Sequence, residues 1–423
     1  MPVQQQSIII IGGGVAGLIA AKKLCLQKKR VSLLEARDRL GGRIDTVIPG
    51  QIPGFILECG AEFIHGKLPA TFDLLKKYKI PIRRVKGEMI NLTKEKSSAH
   101  EGSAWERLLQ KMSRLKKDIT LSDFLGQHFS GEKYISFNHS ISRYASGFDL
   151  ADPDIASSKA LYREWNGESD DQFRVEGGYK KLIDALHNDC VLSGCEISMS
   201  TAVKEIRWSR NLVTATTTTG KTFSASKALI TVPAGVLKDE TKKGFIHFIP
   251  AIPEKIHAFK DIGYGSVIKI FLVFKNAFWQ SAYRHAGFFF TPHFIPTWWT
   301  QEPEKNTLLV GWIGGCEAKK WDQYPDEKIL DVAVESLALS FDLNKNIIKA
   351  MLVYSKIINW NNEDFSNGGY SYSMLNTAAA RKQLIEPTAQ TIYFAGEALY
   401  GGSMQGTVEA ALQSGIECAE KMK

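Results

Sequence analysis

The sequence predicts an α/β chain of two lobes, one built on a Rossmann-like dinucleotide-binding unit and the other an α+β substrate lobe. Three observations lead there. Apolar strand, glycine-rich turn, helix, strand and acid follow one another between Ser7 and Glu35, the dinucleotide fingerprint in its required context. The 423 residues exceed one ordinary domain, so two lobes are expected. The middle of the chain passes from a helix-rich pattern to strand-like runs suited to an antiparallel sheet.

The first strand is the β-branched run Ser7-Ile8-Ile9-Ile10-Ile11, leading into Gly12-Gly13-Gly14-Val15-Ala16-Gly17. Gly12 permits the tight turn, Gly14 lets backbone approach a pyrophosphate, and Gly17 lets the following helix pack closely on the sheet. That helix is expected over Leu18 to Lys29, its N-terminus offering N–H groups and partial positive charge to phosphates. Val31-Ser32-Leu33-Leu34 is the next strand, and Glu35 would accept hydrogen bonds from a ribose hydroxyl. In Glu35-Ala36-Arg37-Asp38-Arg39-Leu40-Gly41-Gly42-Arg43 a second glycine pair lets the chain turn back over the pyrophosphate. A guanidinium there supplies a planar donor fork to neutralise it.

With these residues the chain resembles the flavin-containing amine oxidase family, which includes monoamine oxidases, polyamine oxidases and lysine-specific histone demethylases. The match resumes near the C-terminus, where Ile392-Tyr393-Phe394-Ala395-Gly396-Glu397 is similar to the family's second flavin-contacting segment. The resemblance implies FAD held by Gly12, Gly14, Gly17, Glu35, Arg37, Gly42, Arg43, Val203, Gly396, Glu397 and Met404, in a discontinuous domain of the glutathione-reductase-like type. The FAD-binding domain is expected over residues 1–83, 176–250 and 367–423, and the substrate domain over 84–175 and 251–366.

Within these pieces, Lys180 to about Asn188 reads as a helix, followed by strands around Glu196 to Trp208 and Leu212 to Thr219. Gly220-Lys221 reads as a hairpin turn, and Ala228 to Val232 as a buried strand closed by Pro233. Arg107 to Lys117 carries Leu108, Leu109, Met112 and Leu115 at helical spacing, an amphipathic helix with a solvated face. The sheet of the substrate lobe is expected from Val267 to Phe274, Phe288 to Thr291, Trp298 to Thr300 and Thr307 to Gly314. Val408 to Glu420 reads as a helix whose N-terminus, by the resemblance, points at the flavin.

Candidate catalytic residues are few. Lys269 interrupts the apolar strand Val267-Ile268-Lys269-Ile270-Phe271-Leu272, on the side of Val267 and Phe271 if residues alternate. An unpaired ammonium on an apolar face is costly. The resemblance implies that Lys269 holds a water at flavin N5; the bland reading is a lysine snorkelling from a half-exposed strand. Trp360 and Tyr370 have the spacing of the corresponding pair in monoamine oxidases, where a cysteine before the tyrosine bonds the flavin covalently. Here that residue is Gly369, so FAD is expected to be non-covalent. Tyr370 then forms one wall of an aromatic cage, and Ser403 replaces the second wall. In Glu58-Cys59-Gly60-Ala61-Glu62-Phe63-Ile64-His65-Gly66, His65 is a candidate for hydrogen-bonding a distal amino group. Glu62 is the weaker candidate of this segment, and no motif supports His285 or His293.

Composition narrows the class. Hydrophobic residues make up 44% and charged residues 23%, as in a soluble globular protein. The net charge of +8 is dispersed and comes with no nucleic-acid-binding signature. Six scattered cysteines show no metal-ligand spacing, which suits a reducing compartment. With no signal-peptide pattern and no long apolar stretch, a cytoplasmic location without membrane anchor is expected. The partners implied are a small amine and O2, with imine hydrolysis to an aldehyde and release of hydrogen peroxide. The alternatives are an L-amino-acid oxidase, needing an arginine from Arg83, Arg84, Arg143, Arg163 or Arg284; a desaturase or porphyrinogen-type oxidase; and a flavin-binding scaffold without turnover.

Overall fold

The computed structural model describes residues 6–66, 68–92, 100–167, 169 and 171–423. Its centre is a five-stranded parallel sheet in the order Ile392–Phe394, Lys227–Ile230, Ser7–Ile11, Arg30–Leu34, Glu196–Ser198. Ser7–Ile11 lies in the middle and is covered on both faces. Ile8 and Ile10 pack into the core holding the helices Val15–Leu26, Lys180–Leu192 and Val408–Lys421, whereas Ile9 and Ile11 join the opposite core. Two buried faces are why this strand reads as an unbroken apolar run rather than an alternating one.

The first helix begins at Val15 instead of Leu18 and ends at Leu26 instead of Lys29. Gly14, extended at φ −71° and ψ 177°, is its N-cap, so the chain enters the helix straight from the glycine turn. At the other end Lys28 takes a left-handed conformation that breaks it. A small four-stranded sheet, Thr222–Ala225, Leu212–Thr217, Val203–Ser209 and His247–Ile249, flanks the parallel one. Its hairpin turns at Gly220, which has φ +86° and so needs glycine.

The second large sheet has six strands in the order Leu352–Asn359, Val267–Phe274, Leu308–Gly314, Thr297–Trp299, Ala286–Phe290, Glu88–Asn91. Its neighbours are antiparallel except the last pair. Leu352–Asn359, which the sequence reading lacked, pairs along Val267–Phe274; Ser355 and Lys356 break the apolar pattern that would have disclosed it. Every residue of Val267–Phe274 is buried, with Ile268, Ile270, Leu272 and Phe274 in one core and Phe271 and Val273 in another. The strand is covered on both faces, and the half-exposed reading of Lys269 is excluded.

A helical layer is formed by His100–Ser113, Leu121–His128, Ile135–Phe148 and Ser158–Asn166 around Phe124, Phe129 and Trp165. The amphipathic helix expected over Arg107 to Lys117 ends at Ser113, and its Leu108 and Met112 are buried in this layer. A three-stranded antiparallel sheet, Phe63–His65, Gln172–Val175 and Ile82–Arg84, sends Ile64 and Val175 into the core beside the parallel sheet and sets His65 against Phe148 of the helical layer.

Candidate active site

One cavity of about 1160 Å³ runs from the N-terminal glycine turn to the side of the six-stranded sheet. At the glycine-turn end the chain is built tightly. The Gly12 N–H donates to the Leu34 carbonyl (2.9 Å), and Thr231 Oγ1 donates to the Gly12 carbonyl (2.8 Å). A Cβ at Gly17 would come within 2.0 Å of the Gly12 oxygen, whereas one at Gly14 would meet nothing within 4 Å. Gly17 is therefore a packing requirement, and Gly14 opens on the cavity. No side chain caps the helix beginning at Val15, and Gly14, Val15 and Ala16 line the cavity. This uncapped first turn suits a pyrophosphate.

Glu35 lies below the turn, its Oε2 accepting from the Gly13 N–H (2.6 Å) and its Oε1 from the Arg37 N–H (2.8 Å). Each oxygen keeps a lone pair for a ribose hydroxyl. The Arg37 guanidinium donates to the Asp364 carbonyl and lies 3.7 Å from Glu363. Gly41 closes the cradle, its N–H bonding the Gly13 carbonyl (2.9 Å), and Gly42 follows at φ +59°. Arg43 donates to Glu397 Oε1 (2.8 Å) and to the Gly369 carbonyl (2.7 Å), while Ser371 Oγ donates to Glu397 Oε2 (2.6 Å). Val203, Gly396 and Met404 also line the cavity, so all eleven expected cofactor positions except Gly17 face it. These residues fit a dinucleotide: the cradle is open where backbone must approach phosphate and closed where helix must meet strand.

At the other end the cavity wall contains Lys269, Trp360, Tyr370 and His65. Trp360 is buried and donates its indole N–H to the Cys59 carbonyl (2.9 Å). Tyr370 donates to the Phe148 carbonyl, and burial pushes its phenol far up, so it stays neutral. His65 packs edge-on to Phe148, with ring centroids 5.6 Å apart, and burial lowers its pKa to about 4. It is thus a neutral imidazole near pH 7, able to accept one hydrogen bond and donate another. Ser403 is solvent-exposed and does not line the cavity; Met404 and Gln405 do.

Lys269 is 1% exposed. Its ammonium donates to Glu62 Oε2 (2.6 Å), the Glu58 carbonyl (2.5 Å) and the Gly60 carbonyl (3.3 Å). Glu62 Oε1 accepts in turn from Arg174 Nε (2.9 Å) and Trp299 Nε1 (3.0 Å). Burial alone would raise the Glu62 pKa, but Lys269 and Arg174 outweigh it and hold the carboxyl below its ordinary value. This cluster is the part of the site that sequence reasoning missed. Arg174 lies 112 positions from Glu62, and no local pattern pairs them. Among the described residues no group of histidines, cysteines or carboxylates could hold a metal.

A parallel sheet with a glycine cradle, sharing one cavity with a lysine-bearing, largely antiparallel sheet, fits a two-lobed oxidoreductase with a nucleotide cofactor. The chain belongs to the family of flavin-containing amine oxidoreductases, whose model matches residues 15–423. It is 27% identical over 461 aligned positions to polyamine oxidase 2 of Arabidopsis thaliana, covering 99% of this chain and 88% of that protein. It is also 28% identical to human lysine-specific histone demethylase 2, covering 99% of this chain but 53% of that longer protein. Among solved structures, a putrescine oxidase bound to putrescine superposes with a TM-score of 0.80 at 18% identity, over 99% of both chains. Cyclohexylamine oxidase from Brevibacterium oxydans does so with 0.79 at 19% identity, over 99% and 100%. The protein is therefore a flavin-dependent amine oxidoreductase, and no helix among the described residues is long and apolar enough to cross a membrane.

Proposed function

We propose that this protein is an amine oxidase using non-covalently bound FAD, with the nucleotide in the glycine cradle and the reacting amine beside Lys269 and Tyr370. The observation that carries this reading is that cradle and buried lysine line one continuous cavity. When bound, FAD would accept hydride from the amine α-carbon and pass the electrons to O2 as hydrogen peroxide. The chain supplies orientation and electrostatics. Gly12, Gly14 and the uncapped helix turn hold phosphate, Glu35 the ribose, and Arg43 and Glu397 the middle of the cofactor. The helix Val408–Lys421 presents its N-terminus to the cavity through Gly406, Thr407 and Val408, a positive dipole end that favours negative charge there. Tyr370 and Trp360 flank the amine, and neutral His65 accepts a hydrogen bond from its distal part. Lys269 holds a water by exchanging its longest contact, that to the Gly60 carbonyl.

The interleaved partition into FAD-binding pieces 1–83, 176–250 and 367–423 and substrate pieces 84–175 and 251–366 is part of this proposal. So is a cytoplasmic location, supported by six free cysteines. A second reading, an L-amino-acid oxidase, is favoured by Arg143. Of the five candidate arginines it alone lines the cavity, and it donates to the Thr291 carbonyl (3.2 Å).

Peroxide release from purified protein across monoamines, polyamines and amino acids tests both. Turnover of polyamines or monoamines supports the first reading, turnover of amino acids alone the second, and silence on all substrates defeats both. Acid precipitation should leave the yellow colour in the supernatant, since Gly369 offers no sulfur; colour in the pellet would contradict non-covalent binding. His65 should also mark the pH profile. Its folded pKa of about 4 lies below the ordinary histidine value of about 6.5. The unfolded chain therefore binds an extra proton as pH falls through that window, and stability is lost there. His65→Asn should fall less than wild type in chemical-denaturation midpoint between about pH 6.5 and 4. Parallel curves for the two proteins would show the histidine to be solvated.

A further inference from the structure

Lys269, Glu62 and Arg174 are 1%, 6% and 8% exposed, and they come from three separate stretches of chain. Glu62 immediately precedes the strand Phe63–His65, Arg174 lies on Gln172–Val175, and Lys269 is in the middle of Val267–Phe274. Lys269 has three protons and three acceptors, so its ammonium is held in one place. The Glu62 carboxylate is equally committed, to Lys269 on one oxygen and to Arg174 and Trp299 on the other. Arg174 makes a further bond to the Thr300 carbonyl (3.1 Å) and lies over the Phe63 ring (4.7 Å). Glu62 and Lys269 face the cavity, whereas Arg174 stands behind them.

One carboxylate against two cations leaves the cluster with a single positive charge. The pairing decides where that charge is felt. Lys269 and Glu62 at 2.6 Å form a neutral dipole at the cavity wall, and Arg174 supplies the surplus from the second layer. A purely structural clamp between the two sheets would not need charges, because well-packed apolar side chains of similar volume hold such a junction as well or better. Buried charges facing a cofactor cavity are felt strongly because little water screens them.

We propose that Glu62 is a positioning residue that fixes Lys269 and, together with Arg174, sets the electrostatic potential on the flavin and so its reduction potential. This rests on the flavin reading above. Removing the Glu62 charge leaves two uncompensated cations beside the reduced, anionic flavin and stabilises it. Removing the Arg174 charge leaves a neutral pair and destabilises it. A role in folding alone gives no reason for the two substitutions to act in opposite directions.

The test is the two-electron midpoint potential of FAD-loaded full-length protein at pH 6, well below the ordinary range of lysine and arginine. The melting temperature of each apoprotein is measured beside it. Glu62→Gln is expected to shift the equilibrium at least about tenfold towards reduced flavin, a rise of about 30 mV for this couple. Arg174→Gln is expected to shift it about tenfold the other way, and Glu62→Asp, which keeps the charge, to stay within about twofold of wild type. Opposite shifts that follow charge support the proposal whatever the melting temperatures do. Unmoved potentials with lowered melting temperatures overturn it and leave a structural clamp, as do shifts of the same sign. Should Arg174→Gln not fold, Glu62→Gln against Glu62→Asp decides alone. If wild type itself binds no flavin, the flavin reading fails first, and that outcome is distinct from a loaded protein whose potential does not respond.

Discussion

Lys269→Met is expected to fold, to bind flavin and to slow oxidative turnover about 10²–10³-fold, the usual cost of deleting one preorganised charged donor at a reacting centre. Methionine matches the length of the lysine stem and fills the same apolar slot between Trp312 and Ile358, the register partners of Lys269. The fold is expected to survive because Arg174 and Trp299 still satisfy Glu62. Breaking a buried pair usually costs about 3–5 kcal/mol, and the retained partners place this variant at about 3 kcal/mol. Stopped-flow reduction under nitrogen and reoxidation by oxygen separate the two half-reactions. The loss should fall on reoxidation, and an unchanged reoxidation rate would remove Lys269 from the oxygen step.

Gly17→Ala and Gly14→Ala should part company, although both add one methyl group to the same turn. At Gly17 the new Cβ would come within 2.0 Å of the Gly12 carbonyl oxygen and 2.9 Å of Thr231 Oγ1. Neither can retreat, because Thr231 Oγ1 is already bonded to that oxygen and the Gly12 N–H to Leu34. The cost is expected to reach or exceed the about 1–3 kcal/mol of ordinary overpacking, with a lowered apoprotein melting temperature and no retained flavin. At Gly14 the methyl meets no protein atom within 4 Å, and the backbone angles suit alanine. That variant should melt like wild type yet bind FAD weakly, since the methyl occupies the space a pyrophosphate needs. Equal melting temperatures for the two variants would contradict this account of the turn.

The contrast between these glycines also separates what was legible in the chain from what was not. The order of strand, glycine turn, helix, strand and Glu35 is local: each step is dictated by neighbours within a few residues, so it can be read directly. Burial of Lys269 was half legible. Its place in an apolar run predicted the face it shares with Val267 and Phe271, but one strand cannot show whether either face is covered. Coverage came from the helix Asp326–Phe341 on one face and from Ile52, Leu57 and Cys59 on the other, while Leu352–Asn359, whose mixed pattern gave no sign of it, pairs along the strand's edge. Ser403 shows the converse. Its motif placed it at the cage, and the backbone turns it to solvent while Met404, in a left-handed conformation, faces inward.

By itself the sequence determined the family and the strand, glycine turn, helix and strand of the N-terminal unit, and it singled out Lys269 as a candidate, because each depends on residue types at short, fixed spacing. Only the tertiary structure decided the partners of that lysine. Glu62, Arg174 and Trp299 are brought together by pairing between segments more than a hundred residues apart, and long-range juxtaposition leaves no periodic trace in composition or pattern. The cost of an unpaired buried ammonium required that some partner exist; folding chose which carboxylate it is.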